Sequence, residues 1–488
     1  MQNTILFSHS YFLQFDPKQY KLGQPYAPLA TITAAAFMRE KGYSVDLLDV
    51  QFARSPEELF PLLKKQAPRF FVMYDDGFNY LTKMCLTNMR EAAFNLAQFA
   101  KSCGSTVIFS SSDATDRDEL YLNNGADYII KGEGEQTLFE LIEALSLDNE
   151  ISSIVGLAYL KQGIVQNTGA RTVMRDLDAL PIPAWDLLNI VEYKMHWLQQ
   201  YGYFSLNMST TRGCPFKCNW CAKPIYGNRY NSRSVKHVIA ELKYLKQLFD
   251  FDHIWFCDDI FGLKPGWVEE FAKAVRDENL TFKFKIQTRV DLLLEENTIE
   301  LLAAAGCETA WVGAESGSQK ILDAMDKGTQ VSQIYEATRL LKKHGIKPAF
   351  FLQFGYPGET MHDIQLTIQM LNDLLPDDIG ISVSYPLPGT KFYEQVKSEL
   401  KTKTNWSDSD ELAMLFKNTY PPQFYKELQR FVHRNYRTKQ GISELANLFT
   451  QPQKVSLQKI RRIAALPVYY AGKKIFEYRM KSYQQKIN

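Results

Sequence analysis

What most limits the fold of this chain is an alternation, occurring twice, of short apolar runs with segments whose apolar residues recur at helical spacing. In the first third, residues 4–8, 44–50, 70–74, 106–110 and 127–131 read as strands, and 28–41, 56–66, 84–102, 117–123 and 136–145 as helices. Near-continuous apolar strands joined by helices form a parallel sheet covered on both faces. Residues 1–148 therefore predict a doubly wound, Rossmann-like α/β domain, whose ligands bind beyond the carboxyl ends of the strands. Those ends carry Ser8, His9, Ser10, Asp49, Tyr74, Asp75, Asp76, Ser110, Ser111, Ser112, Asp113 and the run Gly132-Glu133-Gly134-Glu135. No G-x-G-x-x-G follows the first strand, which disfavours a dinucleotide. The alternation resumes over 206–395 and predicts a partial βα barrel, in which the loops after the strands build the active site.

Near the start of the second, after a strand over 201–208, lies TTRGCPFKCNWCAKPIYG, with Cys214, Cys218 and Cys221 spaced C-x3-C-x2-C. Three thiolates that close together can ligate an iron–sulfur cluster. Three protein ligands to four irons leave one iron open, as a catalytic site requires and a structural one avoids. Structural zinc is the alternative; it would normally take a second C-x2-C pair, and Cys85, Cys103, Cys257 and Cys307 are isolated.

With Trp220 in the aromatic slot before the last cysteine, this run resembles the signature of the radical S-adenosylmethionine (radical SAM) enzymes. The resemblance implies a [4Fe-4S] cluster on Cys214, Cys218 and Cys221 whose open iron chelates S-adenosylmethionine, and reductive cleavage to a 5′-deoxyadenosyl radical. The following strand ends fit the same family. Asp258 and Asp259 lie where it holds the cofactor's amino group, although its common G-G-E is missing here. Arg289 is implied for the cofactor carboxylate, Glu315 with Ser316 for the ribose, and Gly355 with Tyr356 for the adenine. Taken singly, each has a plainer reading: aspartates cap helices and glycines permit turns. Arg229 and Arg233 fit this branch or are surface charges.

The segments PLATITAAAFMREKGYSVDLLDV and GADYIIKGEGEQTLFELIEAL resemble the cobalamin-binding domain that precedes many such barrels. This implies cobalamin at Tyr74, Asp75, Ser110, Ser111, Ser112, Gly132 and Glu133, though glutamates at a helix N-terminus are favoured by the dipole regardless of ligand. The family's D-x-H-x-x-G is missing, and its G-G-x-H is replaced by Ser111-Ser112-Asp113, so cobalamin would bind without a histidine ligand. His9, alone at a strand end, reads as a hydrogen-bonding residue.

Residues 149–205 read as a linker containing a hairpin about Gln162-Gly163, then the proline-rich LPIPAWDLL. Residues 396–488 read as a helical C-terminal region, helical throughout 400–450, with Phe424, Tyr425, Phe431 and Tyr436 in its core. From 454 to 488 nine Lys and Arg face one acid, Glu477. A basic amphipathic segment can lie on an anionic membrane; a solvated helix packed on the barrel is the alternative. Net charge of +1 gives no field for nucleic acid. An odd cysteine count and a non-basic N-terminus point to a reducing cytoplasm.

The whole reads as a cobalamin-dependent radical SAM enzyme transferring methyl to an unactivated carbon, with a cyclase or rearrangement enzyme of the porphyrin-cyclase type as the alternative. Its partners would be a small, hydrophobic substrate and an electron donor such as flavodoxin or ferredoxin. A non-catalytic cobalamin- or redox-sensing protein and a zinc-dependent nucleic-acid module are the rivals from other classes.

Overall fold

In the computed structural model, residues 4–75, 86–400, 405–450 and 457–485 are described. The first sheet contains β1 Thr4–Ser8, β2 Ser44–Leu48, β3 Phe70–Tyr74, β4 Thr106–Ser110, β5 Tyr128–Ile130, β6 Leu157–Lys161 and β7 Ile164–Asn167. Its spatial order is β2-β1-β3-β4-β5-β6-β7. Strands β1 to β5 are parallel, and β3 is buried at all five positions, as a strand covered on both faces must be. The hairpin read from Gln162-Gly163 pairs antiparallel with β5 and extends this sheet. Both turn residues have positive φ (52° and 77°), the conformation a two-residue hairpin turn demands.

The second sheet starts with β8 Ser205–Met208. The two-residue strands β9 Thr211–Arg212 and β10 Asn231–Ser232 then pair antiparallel. The sheet continues with β11 His253–Phe256, β12 Lys283–Thr288, β13 Cys307–Glu315, β14 Lys347–Phe354 and β15 Asp378–Val383. Its six parallel strands run β15-β14-β13-β12-β11-β8, so β8 and β15 are free edges and the sheet curls as an open half-barrel. Helices Val235–Phe249, Trp267–Asp277, Val331–Lys343 and Met361–Leu374 bury their apolar stripes against its outer face. The pairing register between β13 and β14 shifts between Gly313 and Glu315. Such a bulge re-aims the side chain at the strand end, and Glu315 there has φ +55°.

One apolar core runs through both sheets' neighbourhoods, joining Phe12 and Met89 to Trp197, Phe204 and Trp406. The helix expected throughout 400–450 is confined to Pro422–Thr450. Pro421-Pro422 suits a helix start rather than an interior, and the described residues before it, 405–421, are without a helix. They bury Trp406, Leu412, Met414, Leu415 and Phe416 instead. This strap joins the two sheets' surroundings: Thr87 N–H donates to the Trp406 carbonyl at 2.9 Å, and the Ser409 hydroxyl to Asp16 at 2.7 Å.

Candidate active site

The β9–β10 ladder closes the base of the cysteine loop. Gly213, at φ +82°, turns the chain into it, and a Cβ there would overlap the Arg229 carbonyl. Cys214 is buried beside Ile260, Leu292 and Phe216, and Cys218 and Cys221 are half-buried. Burial pushes the Cys214 thiol up. Among the described residues no three His, Cys, Asp or Glu side chains close on a single metal ion. A cubane does not need that, since each cysteine takes a different iron corner. The donor set is all-thiolate, of the kind that selects iron–sulfur clusters.

Asn219, within the loop, fastens it to the barrel. Its N–H donates to the Met325 carbonyl at 3.0 Å and its carbonyl accepts from Phe392 N–H at 3.0 Å. Its amide donates to the Ala324 carbonyl at 2.6 Å, and its Oδ1 accepts from the Tyr356 hydroxyl at 2.9 Å. Tyr356, expected near adenine, is buried with its hydroxyl committed to Asn219 and Ala324. Trp220 is half-buried; its indole Nε1 is buried without an acceptor. An orphan donor beside the thiols is the kind of group that a polar ligand satisfies.

The strand ends around the loop carry the remaining candidates. Asp258 is wholly buried and accepts from Thr210 N–H and Thr211 N–H at 2.7 Å and from the Thr210 hydroxyl at 2.6 Å. Burial pushes its carboxyl to about 6 against those bonds. Asp258 thus braces the approach to the cysteine loop, while Asp259 beside it is half-buried. The Arg289 guanidinium, expected on a carboxylate ligand, is bonded to Asp291 at 2.8 Å and to the Lys327 carbonyl at 2.9 Å. Its fork is occupied, and it stacks 3.7 Å from the Phe216 ring centroid. Glu315 and Lys327 form a buried ion pair at 2.8 Å. Burial opposes the Lys327 charge, but Glu315 raises its pKa on balance. The Lys327 ammonium lies 6.0 Å from the Trp220 ring centroid, bringing Glu315, Lys327 and Trp220 into one group. Ser316 is buried against Thr367 at 3.1 Å. Gly355 N–H donates to Glu359 at 2.7 Å; φ there is +76°, and a Cβ would lie 2.5 Å from Met414.

At the first sheet, Asp75 is buried and accepts from Ser10 N–H at 2.7 Å and from its hydroxyl at 2.8 Å; burial raises its carboxyl. Asp75 N–H donates to the Ser110 carbonyl at 2.8 Å. Ser111 caps the short helix Ser112–Asp116, and the Ser112 hydroxyl is buried without a partner. Gly134 lets its loop settle on Tyr74 and Ser110, because a Cβ there would sit 2.7 Å from the Tyr74 hydroxyl and 2.9 Å from Ser110 Oγ. These buried side chains are bonded largely within the protein, Asp75 to Ser10 and Ser111 to Ala114, and the Ser112 hydroxyl is left unpaired. Gly132 adopts φ +78° at the turn. Asp76 lies outside the described residues. His9 pairs with Asp49 at 2.9 Å.

Glu133, expected at the cobalamin site, is bonded within the protein. It pairs with Arg212 at 2.5 Å, as does Glu135 at 2.5 Å, and Glu133 also accepts from Met174 N–H. Arg212 immediately precedes the glycine of the cysteine loop, so the two glutamates tie the first sheet's loop to the cysteine loop. Burial works against the Arg212 charge, but Glu135 and its neighbours hold the pKa well above its ordinary value. Sequence reasoning missed Arg212, Asn219 and Lys327. The first two lay inside the quoted motif, whereas no spacing marked Lys327.

A family profile described as the Radical SAM superfamily matches residues 208–371. An uncharacterized methyltransferase of Pyrococcus horikoshii is 29% identical over 385 residues, 74% of this chain and 82% of that protein. A protein of Methanocaldococcus jannaschii named as a methylthiotransferase is 30% identical over 330 residues, 64% of this chain and 67% of its own. The anaerobic magnesium-protoporphyrin IX monomethyl ester cyclase of Cereibacter sphaeroides is 27% identical over 281 residues, 56% of this chain but only 45% of the cyclase. Among solved structures, OxsB, a cobalamin-dependent S-adenosylmethionine radical enzyme with aqua-cobalamin bound, matches 98% of this chain and 72% of its own, with TM-score 0.75 and 17% identity. TsrM from Kitasatospora setae, a radical S-adenosylmethionine methyltransferase with cobalamin and a [4Fe-4S] cluster bound, matches 82% and 78%, with TM-score 0.68 and 19% identity. At those identities the two structures establish the fold, a doubly wound sheet followed by a half-barrel. With the profile on the barrel and the matching relatives, the chain belongs to the radical SAM superfamily.

Proposed function

We propose that the protein is a cobalamin-dependent radical SAM enzyme that transfers a methyl group to an unactivated carbon of a small molecule. The observation that carries this reading is the cysteine loop, fastened by Asn219 to the barrel and by Arg212 to the first sheet's ligand-binding edge. In this reading residues 1–148 hold cobalamin and 206–395 form the catalytic barrel, with the strap 405–421 bonded to Asp16 and Thr87 of the first part.

Cys214, Cys218 and Cys221 would hold the [4Fe-4S] cluster, and the Trp220 orphan donor with Asp259, Glu315 and Ser316 would line the S-adenosylmethionine site. When bound, the cluster would supply the electron for reductive cleavage of S-adenosylmethionine and cobalamin the methyl group. The chain's own part is positioning and exclusion of water, since cofactors carry such chemistry. Asp258 and Arg289 act through the loops they brace. Lys327 neutralises Glu315 in a buried setting, keeping a carboxylate available there without an unpaired charge. On the cobalamin side, Tyr74, Asp75, Ser110, Ser111, Ser112 and Gly132 would line the site, and Glu133 acts by holding Arg212. The cofactor would bind without a histidine ligand, His9 being paired with Asp49. The resemblance to the porphyrin cyclase favours ring closure as the second reading. Flavodoxin or ferredoxin would supply electrons, in a reducing, anaerobic cytoplasm.

The reading is tested by incubating cluster-loaded protein anaerobically with S-adenosylmethionine and a reductant. Release of 5′-deoxyadenosine, lost in Cys221→Ala, is expected; a loaded cluster that releases none would return the chain to the sensor class.

A further inference from the structure

The C-terminal helices Leu457–Ala464 and Leu466–Gln485 have two faces with different uses. On the second helix Tyr469, Gly472, Phe476 and Met480 share one side and dock on Pro422–Thr450. The Arg434 side chain lies 5.5 Å from the Tyr469 ring centroid, and Arg430 5.9 Å from that of Phe476. Met480 is buried. A second stripe, centred about 125° round the helix from the first at 100° per residue, follows the same helical spacing: Val468, Ala471, Ile475 and Tyr478, at intervals of three and four residues. Val468 is 63% exposed, Ile475 51% and Tyr478 76%.

A merely solvated face should be polar. This one is apolar although the helix has already satisfied its packing through the first stripe. At 100° per residue Lys474 and Lys481 border the stripe on one side and Arg479 on the other, and all three are exposed. Ile460 continues the exposed apolar positions on the preceding helix, where Arg461 is also exposed. On the helix Pro422–Thr450, Ile442, Leu445, Leu448 and Phe449 are exposed as well, the last 80%. Over residues 454–488 nine Lys and Arg stand against one acid of the same stretch, Glu477; Glu477 pairs with Lys481 at 3.0 Å and with Lys474 at 3.7 Å, and Arg462 pairs with Glu444 on the neighbouring helix. No helix among the described residues is long and apolar enough to cross a membrane.

We infer that this face is a docking surface for an anionic lipid bilayer, with Val468, Ile475 and Tyr478 entering the headgroup region and Lys474, Arg479 and Lys481 meeting lipid phosphates. Charge complementarity selects lipid over a second copy of the chain, because two such basic faces would repel each other. A helix with an apolar stripe bordered by cations lies in the interface plane rather than across it. The inference stands apart from the catalytic reading and concerns only where the enzyme works.

The test is co-sedimentation of the full-length protein with vesicles of phosphatidylcholine alone and of phosphatidylcholine with phosphatidylglycerol. Binding roughly tenfold tighter to the anionic vesicles is expected, weakening as salt screens the charges. The triple variant Val468→Glu, Ile475→Glu, Tyr478→Glu should lose it while melting at the wild-type temperature, because these side chains are exposed. Lys474→Gln with Arg479→Gln should weaken it independently of the apolar stripe. Absence of binding to anionic vesicles, or equal binding by the triple variant, would overturn the inference. So would a wild-type dimer in light scattering that the triple variant abolishes, which would give the face to a second copy.

Discussion

Asn219 stands between Cys218 and Cys221 and holds the cysteine loop through its backbone and its amide. In Asn219→Ala the Tyr356 hydroxyl loses one acceptor and the Ala324 carbonyl one donor, a cost of about 1–3 kcal/mol for buried groups. The far-UV spectrum should remain native while iron retained after anaerobic reconstitution falls by more than half; full iron occupancy would show that the loop does not depend on this residue. Glu359 gives a second residue-scale test. It is wholly buried, one carboxylate oxygen accepts from Gly355 N–H, and the other has no partner. Burial pushes its carboxyl from the ordinary 4.5 to about 8. The folded state therefore keeps a proton that the unfolded chain gives up above about 4.5. The stability contribution is complete below that pH and is lost as pH rises toward about 8. Glu359→Gln, with no proton to lose, should flatten the fall in melting temperature between pH 5 and 8; an unchanged slope would exclude Glu359 as its source. The three cysteines were legible because they lie within one short loop. Asn219 and Arg212 were in the same run, yet their partners are remote: Tyr356 is 137 residues from Asn219, and Glu133 and Glu135 are 79 and 77 from Arg212. No local pattern carries such pairings, and the bonds of Arg289 to Asp291 and the Lys327 carbonyl were likewise not legible.

At the scale of elements, the loop following β13 is sewn to the helix Met361–Leu374. Ser316 meets Thr367, Gly317 N–H donates to Thr367 at 2.9 Å, and the Ser318 hydroxyl to Asp363 at 2.7 Å. A Cβ on Gly317 would lie 2.5 Å from the Leu366 carbonyl oxygen and 2.8 Å from Thr367 Cα, atoms that cannot rotate away. Gly317→Ala should therefore push helix and loop apart at a cost of about 1–3 kcal/mol, seen as a lower urea midpoint; an unchanged midpoint would show that the contact yields freely. Strands and helices of both sheets were readable from apolar periodicity, since parallel strands flanked by helices have little other use for it. The strap over 405–421 was not. Its buried Trp406, Met414 and Phe416 each enter the core singly, so their spacing follows the cavity they fill rather than any helix.

For the whole molecule, the Arg212 fork with Glu133 and Glu135 joins the first sheet to the barrel at the cysteine loop. Arg212→Met would leave two buried carboxylates without a cation, costing about 3–5 kcal/mol. The melting temperature should fall, and adding Glu133→Gln and Glu135→Gln should recover much of it; failure of that rescue would show that the arginine acts by packing. The central claim is that both sheets serve one reaction, with a cluster on one and cobalamin on the other. Its most direct test is the iron and cobalt content of protein purified anaerobically from cells supplied with cobalamin, compared with the variant in which Cys214, Cys218 and Cys221 are all alanine. The account predicts about four iron atoms and one cobalt atom per wild-type chain, and a variant that loses the iron but keeps the cobalt. Iron without cobalt in the wild type, persisting after reconstitution with added cobalamin, would contradict it.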